Sequence, residues 1–276
     1  MGERLLVTRL ASQFVMKLFP WLLFLMATQT MGEWTPLDKP DPTSILQEAV
    51  ADTDAKRYAD ALAKHVWFHH HALEHRPSMY GVRLSFALTY WKELGQSYPP
   101  AMDKLKEIRE LAKESVLQFD GSPGQEDAAF EKFHDFMAIN RTLKEYSETT
   151  ALFLQLEQYS SPLTKRVFDV AFPSLLSSKE YKLCGKYLVP QTAFPRYVER
   201  FKELKKHNQD ARFAGVNMKQ VIERQFSQDL AILVAVLVVN NRNAEAVSYA
   251  ALAKHEWDDA AFHNSIDQAL DGVFPK

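Results

Sequence analysis

Residues 65–75 hold five of the nine histidines in this 276-residue chain: His65, His69, His70, His71 and His75. His65/His69 and His71/His75 are i,i+4 pairs, a spacing that lets two imidazoles on one helix reach one metal ion. At about 100° per residue, His65 and His69 fall on an apolar face with Leu62 and Ala72. His71 and His75 lie toward the opposite flank, near Lys64. Three chemistries fit this pattern. The inward pair is hydrogen-bonded inside the core, or it lines a ligand pocket with aromatic neighbours such as Trp67 and Tyr90, or the outer pair, His71 and His75, holds a metal. The metal reading needs a further ligand, for which His134 or Asp135 would have to come close. The order HExxH is absent, so metalloprotease chemistry is not supported.

A second polar segment runs from Phe133 to Arg141, where His134, Asp135, Asn140 and Arg141 interleave with apolar residues. Buried polar groups of this kind must find partners. The segment therefore supplies interhelical hydrogen bonds that fix packing register, or it adds His134, Asp135 and Arg141 to a ligand pocket. No nucleophile elbow, phosphate-binding loop or dinucleotide fingerprint occurs, and no catalytic residue is assigned. No cofactor is expected. Cys184 is the single cysteine. It stands in the apolar context Tyr181-Lys182-Leu183, which favours a buried, inert thiol. Asn140-Arg141-Thr142 fits a glycosylation sequon inside a helical segment.

The elements that must position these groups are helical. Apolar residues make up 46% of the chain, charged residues 25%, and the formal net charge is −2. That balance excludes a disordered chain and a broadly basic nucleic-acid binder, and the Lys202–Lys206 stretch is a mixed-charge surface. With 9 Gly and 13 Pro there are too few turn residues for an all-β fold. Tyr58–His75 and Met102–Phe119 each show one apolar stripe. Val82–Leu94 shows two, Leu84/Leu88/Trp91 and Val82/Phe86/Tyr90, as expected for an inner helix covered on two sides. Ser44 with Gln47 reads as a capping box that opens the first helix. Pro77, Pro99-Pro100, Gly121–Gly124, Pro162, Pro173, Pro190, Pro195 and Asn240–Asn243 read as loops. Leu230–Val239 reads as the most buried helix of the C-terminal part, with a strand as the competing assignment.

Arg4, Arg9 and Lys17 precede the apolar run Leu18–Ala27, and small or polar residues follow. This order matches a secretory signal or an uncleaved N-terminal anchor over residues 1–32. The run is shorter than the roughly 20 residues that span a bilayer. Residues 33–43, with Pro36, Pro40 and Pro42, read as an extended leader before a helical domain over 44–274.

Trp91-Lys92-Glu93-Leu94-Gly95-Gln96-Ser97-Tyr98 fits W-x2-L-G-x2-Y, the first-helix signature of the tetratricopeptide repeat. Ala246, Ala250 and Ala253 match the small-residue spacing of that family's second helix, and Tyr58–Leu62 with Ala72–Pro77 resembles a longer version of it. The chain thus resembles a divergent tetratricopeptide-like protein, similar to exported bacterial helical-repeat proteins of unassigned activity. The resemblance implies an all-α solenoid of stacked antiparallel hairpins in the periplasm or outside the cell. It implies a scaffold for a protein or peptide partner, without catalysis, nucleic acid or membrane contact beyond an uncleaved N-terminus. The alternative function is a small-ligand or metal-binding protein, or an enzyme, built on the His65–His75 helix.

Overall fold

The computed structural model describes residues 34–159, 161–207 and 218–275. The expected signal segment, residues 1–32, lies outside the described residues. Among those described there is no strand. Thirteen α-helices follow in order: α1 (Pro42–Asp54), α2 (Tyr58–His75), α3 (Tyr80–Arg83, after a 3-10 turn at Pro77–Met79), α4 (Phe86–Ser97), α5 (Pro99–Leu117), α6 (Glu126–Leu143) and α7 (Tyr146–Gln158). Then come α8 (Leu163–Ser177), α9 (Tyr181–Tyr187), α10 (Pro190–His207), α11 (Met218–Val239), α12 (Asn243–Glu256) and α13 (Ala260–Leu270). No described helix is long and apolar enough to cross a membrane.

One turn recurs four times. Lys56, Lys144, Lys179 and Asn241 each take a left-handed backbone, with φ of 62°, 63°, 60° and 60°. Each follows a helix and is followed by one bridging residue before the next helix begins. The bridging amides of Arg57, Glu145, Glu180 and Arg242 donate back five residues, to Asp52, Asn140, Leu175 and Leu237 carbonyls, at 2.8–2.9 Å. These bonds satisfy carbonyls that the helix end leaves unpaired. Five positions after each left-handed residue stands a small, fully buried one: Ala61, Thr149, Cys184 and Ala246. A small residue there lets the returning helix close on its partner. So α1–α2, α6–α7, α8–α9 and α11–α12 form hairpins through the same link, a left-handed residue followed by one bridging residue.

The hairpin α4–α5 closes differently, through Tyr98 alone. Trp91 is buried and its indole N–H donates to the Ala101 carbonyl at 2.8 Å. Gly95 faces α5 so closely that a β-carbon would lie 2.9 Å from Met102 Cε and 3.2 Å from its backbone nitrogen. The Trp-Leu-Gly spacing thus sets the distance between α4 and α5. Next-but-one helices also touch: α2 meets α4, α4 meets α6, and α6 meets α8. α6 joins two apolar cores, giving Ala138 and Ile139 to the N-terminal one and Phe133, Phe136 and Met137 to the C-terminal one.

Several sequence expectations are corrected. The first helix is opened by Asp41, whose carboxylate accepts from the Thr43 and Ser44 amides, with Pro42 at the first helical position. A carboxylate one residue before a proline captures these amides, so the box at Ser44 is not used. Pro173 and Pro195 lie inside α8 and α10. Both rings are exposed, as are Asp169 and Gln191 four residues earlier, so each carbonyl that loses its N–H partner sits on a solvent-facing turn. Val82–Leu94 is not one helix: Leu84 and Ser85 interrupt it, and Phe86, expected inside, is 62% exposed. The expected burial of Leu230–Val239 holds for Leu230, Ala231 and residues 233–237.

Candidate functional site

The sequence-selected residues separate into two places. The first is a buried polar seam between α2, α3, α4 and α6. His65 is 1% exposed and stacks on Trp91, with ring centroids 5.7 Å apart and planes at 21°. Neither His65 nitrogen has a hydrogen-bond partner, nor does Nδ1 of His69. Burial pushes the His65 imidazole down to about 4, from an ordinary value of 6.5. Burial also holds His69 well below its ordinary value, and the Arg83 guanidinium adds to this. His69 Nε2 lies 3.9 Å from Asp135 Oδ2, while Arg83 donates to the other oxygen of the same carboxylate. Burial raises the Asp135 pKa, and Arg83 offsets only part of that rise. Tyr80 and His134 share a 2.7 Å hydrogen bond beside this group, and burial pushes His134 down and Tyr80 up.

These groups hold α2, α3 and α6 in register. Among the described residues, none of these side chains lines the α2–α5 hollow. Asn140, fully buried, donates to Thr149 Oγ1 at 3.1 Å, so the sequon nitrogen is committed to the α6–α7 contact. Cys184 is buried and its thiol is pushed up to about 12 by burial, so it is held as the neutral thiol.

The second place is a groove between α2 and α5, with a volume of about 830 Å³. Leu62, Val66 and Trp67 on α2 form one wall, and Tyr98 and Pro100 at the start of α5 the other. Tyr98 is fixed by stacking on Tyr58, with centroids 5.7 Å apart. The leader closes one end: the Trp34 indole meets Trp67 edge-on at 6.4 Å, and the Lys64 ammonium sits 5.5 Å from the Trp34 ring centre. Asp60, Asp103, Glu107, Lys104 and His71 supply the polar lining. Lys104 pairs with Glu107 at 2.8 Å. Asp60 and Asp103 make no ion pair among the described residues, so the groove carries excess negative charge.

The structure therefore brings Trp67 and His71 together in the groove and places His75 at its edge, stacked on Trp67 at 5.6 Å. His71 Nδ1 is 3.1 Å from the exposed Glu74. Among the described residues, no three His, Cys, Asp or Glu side chains meet as a metal ligand set. Tyr90 and Arg141 do not join His65 and His69. Tyr90 packs near Phe68 and Ala87. Arg141 is exposed, donates to the Leu84 carbonyl, and borders a smaller hollow with Ser85, Phe86 and Thr89. Sequence reasoning passed over Trp34, Val66, Asp60 and Asp103 as site residues. The pairing of an aromatic in a proline-rich leader with a second aromatic on α2 was the available signal for Trp34.

Among the described residues, fold and groove together define an all-helical arrangement of hairpins with a large aromatic-lined, acidic-edged groove. Comparison with family models, with curated proteins and with solved structures finds no match.

Proposed function

We propose that this chain is a non-catalytic, tetratricopeptide-like scaffold that holds a segment of a partner protein in the α2–α5 groove. The observation that carries this reading is the lining of that groove: half-buried Trp67, Tyr98, Leu62 and Val66 border the hollow, and at its edge Asp60 and Asp103 make no ion pair among the described residues. Aromatic side chains in a hollow supply contact area at low entropic expense, and the unpaired carboxylates favour a cationic partner. The four repeated turns and the contacts between alternate helices support the comparison with stacked repeats. The segment it takes is therefore apolar with basic neighbours.

A fluorescein-labelled dodecapeptide of Leu, Trp and Lys serves as the probe, against the same peptide with Glu for Lys. The Lys peptide is expected to bind, with affinity falling as salt rises. Trp67→Ala is expected to weaken it at least tenfold, and Asp60→Asn with Asp103→Asn to flatten the salt dependence. Equal binding of both peptides, or indifference to Trp67→Ala in a chain of unchanged helicity, would refute the reading.

The pattern of residues 1–32 supports a location outside the cytoplasm. N-terminal sequencing of the natural protein is expected to begin near Glu33 if the segment is removed. A sequence beginning at Met1 in a cytoplasmic fraction would oppose export.

A further inference from the structure

We infer that the leader Trp34–Asp41 is an intrachain occupant of the groove, a strap that an aromatic-bearing segment of the partner must displace. This inference rests on the groove being the binding site. Three observations support it. First, the leader touches the groove through Trp34 and Pro36 and is otherwise outside it: Thr35, Leu37, Asp38 and Lys39 are exposed, Leu37 by 83%. Second, among the described residues no hydrogen bond ties residues 34–40 to the helices, and the first fixed point is Asp41 at the start of α1. Third, Trp34 makes the contacts an aromatic ligand would make. Its ring meets the Trp67 indole edge-on and the Lys64 ammonium across its face.

An indole held by one edge-on ring contact and one cation–π contact, with no hydrogen bond, is weakly retained. Pro36 and Pro40 keep the strap extended and remove two backbone donors, which lowers the entropy lost on seating it. Tethering raises its local concentration to the millimolar range. A weak occupant so tethered covers the Trp67 end of the groove until a tighter segment arrives. The ligand class that follows is an extended segment with an aromatic anchor beside Trp67.

The test uses the full chain and two probes, the Leu/Trp/Lys dodecapeptide and a synthetic octapeptide copying residues 34–41. Trp34→Ala is expected to tighten the dodecapeptide at least fivefold. It is also expected to let the octapeptide bind in trans, at least tenfold better than to the unaltered chain, and adding Trp67→Ala should abolish that binding. If Trp34→Ala weakens the dodecapeptide or leaves it unchanged, Trp34 is a wall and the strap is refuted, while the groove reading stands. If the dodecapeptide binds neither chain, the groove reading itself fails. A concentration-dependent dimer that Trp34→Ala removes would show leaders exchanged between copies and would overturn the intrachain arrangement.

Discussion

Asp52→Ala is expected to destabilise the fold by about 3–5 kcal/mol, read as a shift in the urea midpoint with an unchanged slope. Asp52 and Lys64 are buried together between α1 and α2, with side chains 4% and 8% exposed and Nζ 2.6 Å from Oδ2. Burial opposes charge on both. On Asp52 the hydrogen bonds from Lys64 and Arg57 outweigh burial and lower its pKa, and on Lys64 those to Asp52 and Glu48 raise it. The pair therefore stays ionised at neutral pH. Removing the carboxylate leaves a buried ammonium, with Glu48 at 3.1 Å as its remaining anion, itself 56% exposed. Much of the loss is the cost of that orphan and not the worth of the pair. Asp52→Ala with Lys64→Met should accordingly recover most of the stability. A loss under 1 kcal/mol for Asp52→Ala alone would contradict this account.

Acidification is expected to cost the fold about 3 kcal/mol through His65 alone. In the unfolded chain this imidazole titrates near its ordinary 6.5, while burial in the folded chain holds it to about 4. Above 6.5 both states are neutral and the histidine has no pH effect. Between 6.5 and 4 the unfolded chain takes up a proton that the folded chain refuses, so stability falls with pH and levels off below about 4. His69 acts in the same direction, because burial and Arg83 depress it too. Asp135 acts in the opposite direction: its pKa is raised by burial, so lowering the pH through that value relieves a cost. The clean measurement is therefore a difference. His65→Leu keeps an apolar side chain of similar volume against Trp91. Its loss of stability between pH 7.5 and 4.5 should be smaller than that of the unaltered chain by most of 3 kcal/mol. Equal losses would show that His65 does not titrate against the fold.

Helix content and much of the core were written in local periodicity. The stripe Leu105, Ile108, Ala112 and Val116 is buried as its spacing demanded, and so are Trp91, Leu94, Cys184 and the small residues Ala246, Ala250 and Ala253. Neighbours within one helix decide such patterns, so one chain suffices to show them. The recurring link was also legible: Lys56-Arg57-Tyr58, Lys144-Glu145-Tyr146 and Lys179-Glu180-Tyr181 share one pattern. It passes unnoticed when left-handed turns are sought only at glycine, because here three of the four left-handed positions are lysine.

Lys64 illustrates what periodicity leaves open. A helical wheel puts it on a polar flank, yet α1 covers that flank and supplies Asp52, so the charge is buried and paired. The histidines divide for the same reason. His65 and His69 face the seam formed with α4 and α6, whereas His71 and His75 are left with Trp67 at the groove. The sequence alone therefore determined that the chain is helical, which residues avoid water and where most helices stop, since those follow from contacts within a few turns. Only the tertiary structure decided that Trp34, Trp67 and Tyr98 share one hollow while His65 and Asp135 share another environment. Those groupings depend on how far apart α2 and α5 lie and on which side α1 and α6 cover, distances that no pattern inside a single helix encodes.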